Sequence, residues 1–138
     1  MYKVDIRWLG KHQYLCEGHD KRHAMVMDVP VKSGGDDSSF HATELFLISV
    51  GKCSAVDVVN ILGKQRVKLD HVSVSVEGEI SAEYPKFFEK IALKYTVSGE
   101  NVERSKVEKA IELSQTKYCT VKNTLADKCK VTIDLEIL

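Results

Sequence analysis

"ATELFLISVGKCSAVDVVNIL", residues 42–62, decides the fold. Leu45, Phe46, Leu47, Ile48 and Val50 in its first half, and Ala55, Val56, Val58, Val59, Ile61 and Leu62 in its second, surround almost the whole circumference of a helix. A helix apolar on nearly every side is expected to be buried on nearly every side. Gly63-Lys64 supplies a stop, with glycine past the last turn and a basic charge at the negative end of the dipole. Gly51 weakens the middle of the helix, which points to a close packing contact there. Cys53 sits among small and apolar neighbours; its residue type and setting alone favour a small core hydrophobe, with a nucleophile in a dry pocket as the alternative.

Upstream of this helix, residues 2–9 and 12–18 read as two strands joined through Gly10-Lys11, and 24–29 as a third that Pro30 ends. The stretch "VKSGGDDSS", residues 31–39, is rich in turn formers, has little to bury, and reads as a surface loop. Downstream, Val72, Val74 and Val76 alternate with Ser73, Ser75 and Glu77, and Ile91, Leu93, Tyr95 and Val97 repeat the scheme after Pro85, so these two strands are expected to pair. Asn101 is placed to cap a second helix through about Tyr118, with Val107, Ala110, Ile111 and Ser114 on one face and Arg104, Glu108 and Glu112 at ion-pair spacing on another. Cys119 falls where that helix ends. "KVTIDLEIL", residues 130–138, alternates again as a last half-buried strand.

Three strands, a long helix, two strands, a helix and a strand make an α+β fold, read as a single domain over 1–138. One domain of 138 residues has difficulty covering a helix that is apolar all round. A second copy would do it, so an obligate homodimer with the long helices between two sheets is expected.

Composition narrows the function. Twenty basic residues balance twenty acidic ones, which gives no support to nucleic acid, an anionic membrane or a highly charged substrate as partner. Lys52 and Asp57 interrupt the longest apolar run, so no membrane span is expected. Residues 1–6 alternate in polarity and lack the apolar segment of a secretory signal, which predicts a cytoplasmic protein. Cys16, Cys53, Cys119 and Cys129 include no C-x-x-C pair and, in a reducing compartment, are not expected to form a structural disulfide framework. Asp57, on an apolar helix, is expected to pair with a basic residue or to line a site.

The stretch 42–62, followed by "LSQTKYCTV" at 113–121, resembles the two cysteine signatures of the OsmC/Ohr family of thiol peroxidases. "KCSAVDVVNIL" and "SxxKYC" are most similar to the OsmC-like branch, and the similarity extends from about Gly18 to the C-terminus. The fold that the resemblance implies is OsmC-like: two mostly antiparallel sheet regions with a long buried central helix and a second helix, in an intertwined homodimer. The activity it implies is reduction of organic hydroperoxides, with Cys53 attacking the peroxide and Cys119 closing a disulfide on it. No metal and no organic cofactor is required; the partners are a small hydrophobic hydroperoxide and an external thiol or dithiol reductant.

A thiolate is the attacking species, and neither burial nor a position inside a helix favours one. In the family an arginine from the N-terminal region, held by a glutamate near the helix start, supplies the cation. The glutamate position, ten residues before Cys53, is Thr43 here. Glu44 is the nearest carboxylate, about half a turn around a straight helix from Cys53 at ~100° per residue, and could help if the first turn is irregular. Arg22 is the candidate cation, with Lys52 or His23 as substitutes. Cys16 and Cys129 lie outside the matched positions and read as structural.

Two other classes remain open. His12, Cys16, His19 and His23 are four potential ligands within twelve residues and would suit a metal-binding module, although this is no standard zinc spacing. A redox-inert dimer of the same fold, binding a small apolar ligand, is the third; its support is the missing glutamate at 43.

Overall fold

The computed structural model describes residues 1–20 and 22–138. The chain forms two compact units, Met1–Phe46 and Leu47–Leu138, with the boundary inside the long helix.

In the N-terminal unit, strands β1 (Val4–Gly10), β2 (Gln13–Gly18) and β3 (Ala24–Met27) form an antiparallel meander in that order. Ile6 lies opposite Cys16, and Leu15 opposite Val26. The β1–β2 turn uses the left-handed region at Gly10 (φ 110°) and Lys11 (φ 47°), which only glycine enters without cost. The loop after β3 is better ordered than its composition suggests. Asp28, 3% exposed, accepts the backbone N–H groups of Val29 (2.8 Å), Asp36 (3.2 Å) and Ser38 (3.1 Å) and the Ser38 hydroxyl (2.6 Å). The Ser38 hydroxyl first, and the backbone donors with it, hold the Asp28 carboxyl down at about 2. One buried carboxylate therefore pins a segment that has almost no apolar material of its own.

Helix α1 runs Ala42–Lys64. At its start the Glu44 carboxylate reaches back to the N–H of His41 (2.9 Å), which satisfies one of the orphan donors of the first turn. At its end Val67 N–H bonds to Leu62 O (3.1 Å) and Arg66 N–H to Gly63 O (3.0 Å), with Arg66 at φ 60°. This is the 6→1 and 5→2 pattern of a Schellman cap. Gly63 is therefore inside the helix, and Arg66 takes the left-handed position that the sequence assigns to glycine.

Within the chain, α1 is buried along one stripe, Val50, Ser54, Val58 and Leu62, each four residues on, with Gly51 beside it. A β-carbon on Gly51 would come within 2.6 Å of Val76 Cγ2, so the glycine marks the close approach of α1 to the sheet. Ile48, Val56 and Val59 are 44%, 42% and 43% exposed. The expectation of burial on nearly every side thus fails for the single chain. By length and composition alone α1 is also apolar enough to cross a membrane, with a mean hydropathy of 1.7 over 18 residues, so Lys52 and Asp57 do not exclude a span on that count. Its Ser54 and Asp57 nevertheless bond to side chains of neighbouring elements, as in a core helix.

The C-terminal unit carries a sheet of β4 (Lys68–Ile80), β5 (Phe88–Glu100) and β6 (Lys130–Ile137), in that order. β4 and β5 are antiparallel, with Val74 opposite Tyr95, whereas β5 and β6 are parallel, with Tyr95 opposite Leu135. A parallel neighbour needs a crossover connection, and helix α2 (Arg104–Leu113) lies in it. Central strand β5 buries Ile91, Leu93, Tyr95 and Val97, and α2 buries Val107, Ala110 and Ile111. Asn101 does not cap α2. It sits in a turn at φ 56°, and Glu103 takes the cap position. Arg104 pairs with Glu108 (3.2 Å), while Glu112 pairs with Lys109 (2.8 Å). The helical path continues past Leu113 as a wider π turn, Ser114–Tyr118, and then a short helix α3, Thr120–Thr124.

Candidate active site

Three segments of the C-terminal unit converge on one polar spot in an apolar core. α1 contributes Cys53, Ser54 and Asp57; β5 contributes Tyr95; the π turn and the residue after it contribute Ser114, Gln115 and Cys119. Cys53 and Asp57 are four residues apart and so share a helix face. In the π turn, Cys119 N–H bonds to Ser114 O (2.9 Å). One extra residue per turn buries both Ser114 and Gln115 and brings Cys119, 0% exposed, in beside α1. The Sγ atoms of Cys53 and Cys119 and a carboxylate oxygen of Asp57 lie within 4.8 Å of one another.

The two thiols are unequal. Cys53 is half-buried, Cys119 fully buried. Cys119 Sγ accepts the N–H of Lys122 (3.3 Å) as the cap of α3. Burial foremost pushes the Cys119 thiol up to about 11; the Lys122 N–H opposes this, and a hydrogen bond to Cys53 and the nearby Asp57 charge reinforce it. At neutral pH Cys119 is therefore held as a thiol beside Cys53.

Behind the sulfurs runs a buried hydrogen-bond chain. Ser114 Oγ donates to Asp57 Oδ2 (2.8 Å) and lies 3.0 Å from Ser54 Oγ, which is also bonded to the Tyr95 hydroxyl. A hydroxyl has one proton to give. With that of Ser114 committed to Asp57, Ser54 donates to Ser114 and Tyr95 donates to Ser54, a polarised chain ending on the carboxylate. Gln115 Nε2 adds a bond to Ser54 Oγ (2.8 Å), while its Oε1 is buried without a partner. Burial raises the Tyr95 phenol above its usual range, which keeps it a donor. The partner of Asp57 is thus a serine hydroxyl and no basic side chain; of its two expected roles it takes the second, beside the two sulfurs. Asp57 also borders a cavity of about 360 Å³ lined by Asn60, Ile61, Lys64, Leu113 and Tyr118 among others.

The remaining candidates have local roles. Glu44 caps α1 and approaches His41 Nδ1 (3.6 Å), whose Nε2 lies 2.7 Å from Asp37. Arg22 is largely exposed and pairs with Asp20, its Nε 3.4 Å from Oδ2. Lys52 and Thr43 are exposed. Cys16 and His23 line an apolar cavity of about 350 Å³ in the N-terminal unit, with Ile6, Met25 and Leu45. Cys129 lies immediately before β6 and is half-buried. All four cysteines are free thiols. Among the described residues, Cys53, Asp57 and Cys119 are the only group of histidine, cysteine and acidic side chains gathered at metal-ligand spacing. No three of His12, Cys16, His19 and His23 come to metal-ligand spacing, although Cys16 and His23 share a cavity, so the metal module expected of the four is not assembled. The signal for Asp57 was its charge on an otherwise apolar helix; no sequence signal pointed to the π turn that delivers Ser114 and Gln115.

Comparison with known proteins agrees with this architecture. The family model described as OsmC-like protein matches residues 35–134. Protein YhfA of Escherichia coli K12 is 30% identical over 133 residues, 96% of each chain. The crystal structure of a hypothetical protein from Aquifex aeolicus superposes with a TM-score of 0.86 at 26% identity, covering 100% of this chain and 96% of that one. The organic hydroperoxide resistance protein OsmC of Legionella pneumophila shares the fold, with a TM-score of 0.75 at 16% identity over 99% of this chain and 96% of its own. With a family model matched over residues 35–134 and a relative 30% identical along nearly its whole length, the chain belongs to the OsmC-like protein family.

Proposed function

We propose that the protein is a thiol-dependent peroxidase that reduces organic hydroperoxides, working as one OsmC-like domain over residues 1–138. The observation that carries this reading is the approach of the Cys53 and Cys119 sulfurs to within 4.8 Å, one half-buried and the other fully buried. The Cys53 thiolate attacks the outer peroxide oxygen, the O–O bond breaks, and the alkoxide leaves as an alcohol after taking a proton. Cys53 is then a sulfenic acid. Cys119 condenses with it, forming the S–S bond and releasing water. An external dithiol or thiol reduces the disulfide and is itself oxidised.

In this reading Cys119 has two duties: its S–H steadies the Cys53 anion before attack, and its sulfur captures the oxidised product. Arg22 and Glu44 are candidate electrostatic contributors to the same step, by resemblance to the family. An alkyl or lipid hydroperoxide is preferred over hydrogen peroxide, because the apolar residues that flank Cys53 along α1 gain by taking the R group out of water. The exposed apolar stripe of α1 supports a homodimer as the working form, and the family supports a cytoplasmic setting.

A stoichiometric thiol count before and after cumene hydroperoxide tests the reading. Loss of two thiols per chain, abolished in Cys53→Ser, is the expected result. No loss would favour instead a redox-inert dimer that binds a small apolar ligand, a reading that Thr43 at the family's glutamate position supports. Slower thiol loss in Arg22→Ala or Glu44→Gln would tie those residues to the chemistry, and hydrogen peroxide as the faster substrate would overturn the proposed preference.

A further inference from the structure

We propose that Cys53 Sγ, Asp57 carboxylate oxygen and Cys119 Sγ form a three-ligand site for a thiophilic divalent cation, zinc above all. The three atoms lie within 4.8 Å of one another, a triangle that contracts onto one ion with small side-chain movements. Two sulfurs and one carboxylate are a donor set that zinc accepts in tetrahedral geometry with one position left open. The supports are already arranged. Ser114 Oγ–H holds Oδ2 of Asp57 at 2.8 Å, which fixes the carboxylate's rotation as an outer hydrogen bond does for a metal ligand. Lys122 N–H does the same for Cys119 Sγ at 3.3 Å. A cavity of about 360 Å³ borders the Asp57 corner of the triangle.

The charge balance favours a cation. Two thiols and a carboxylate crowded together repel one another as they ionise, and a dication relieves all three at once. Binding converts two S–H groups to metal thiolates and releases two protons, with no change of oxidation state. The ion and a Cys53–Cys119 disulfide are mutually exclusive, because both use the same sulfur lone pairs. The ion would therefore shield the reduced pair from oxidation. The site requires only the reduced thiols and Asp57, so it does not depend on the peroxidase reading.

The test is titration of the full, untagged, reduced and metal-free chain with cobalt(II), followed by zinc. One equivalent of cobalt per chain is expected, with sulfur-to-cobalt charge-transfer absorption in the near ultraviolet and the visible bands of a tetrahedral ion, both erased by zinc. Cys53→Ser should abolish the charge-transfer pattern of two thiolates, and Asp57→Asn should weaken binding at least about tenfold. Cys16→Ser and Cys129→Ser should leave the spectrum unchanged. Absence of the charge-transfer band in the wild type, or its survival intact in Cys53→Ser, overturns the site. Unaltered affinity in Asp57→Asn overturns the three-ligand assignment. Cys119→Ser removes a fully buried group and can fail to fold; the half-buried Cys53 carries the test without it. Thiol loss to cumene hydroperoxide is measured separately on metal-free protein, so failure of the metal site and failure of the peroxidase are read in different experiments.

Discussion

Cys119 is held as a thiol by its surroundings. Its folded value of about 11 lies above the ordinary 9, so the folded state binds this proton more tightly than the unfolded chain. The stabilisation is complete below about pH 9 and is lost as pH rises through 11. Alkylation kinetics with mass-spectrometric readout should show Cys53 labelled well before Cys119 at neutral pH in the native protein, with the order erased in denaturant. Asp28 has the opposite sign. Its folded value of about 2 lies below the ordinary 3.8, so its contribution is present above about pH 4 and disappears as pH falls through 2. Asp28→Asn should lower stability at neutral pH, and urea unfolding of the two proteins should converge as pH approaches 2. At this scale the sequence was only partly legible. The two candidate sulfurs came from a resemblance of motifs, and Asp57 from being an acidic residue on an apolar helix. The polar chain from Tyr95 through Ser54 and Ser114 could not be read, because those residues are 41 and 60 positions apart along the chain and look like ordinary buried-face residues of a strand and a helix.

Element boundaries show where local pattern stops being decisive. Alternation located β4, β5 and β6, since period-2 burial requires it, and it could not reveal that β6 runs parallel to β5, which depends on the crossover through α2. The end of α1 and the start of α2 both moved, and a left-handed residue marks each: Arg66 at φ 60° in the hydrogen-bonded cap of α1, and Asn101 at φ 56° in the turn before α2, a conformation that asparagine tolerates well. Gly51 went the other way, its mid-helix position correctly announcing a close contact. An alanine there gains up to ~1 kcal/mol in helix propensity and places a methyl 2.6 Å from Val76 Cγ2. Val76 is β-branched and has little freedom to yield, and overpacking typically costs about 1–3 kcal/mol. Gly51→Ala should therefore be net destabilising by about 1 kcal/mol. In a Val76→Ala background the same change should become neutral or stabilising, and thermal or denaturant unfolding of the four proteins measures that coupling.

The whole molecule poses the question that α1 leaves open. Its buried stripe accounts for the sheet of the C-terminal unit, yet Ile48, Val56 and Val59 form a second apolar flank that the chain leaves 42–44% exposed. A second copy that covers it turns the sequence's all-round hydrophobicity from an excess into an interface, since obligate dimers resemble a core cut in half. Val59→Glu separates the two possibilities. In a monomer a charge at a 43% exposed position changes stability by no more than about 0.5 kcal/mol and leaves the mass unchanged. In a dimer it buries an unpaired carboxylate on both sides of a symmetric contact, so sedimentation velocity should show the dimer giving way to monomer, with a lower melting temperature. Because Cys53 and Asp57 are carried on the same helix, thiol loss to cumene hydroperoxide should slow in step with the loss of dimer. Full mass and full reactivity in Val59→Glu would show that the flank is simply solvated and that the site is complete within one chain.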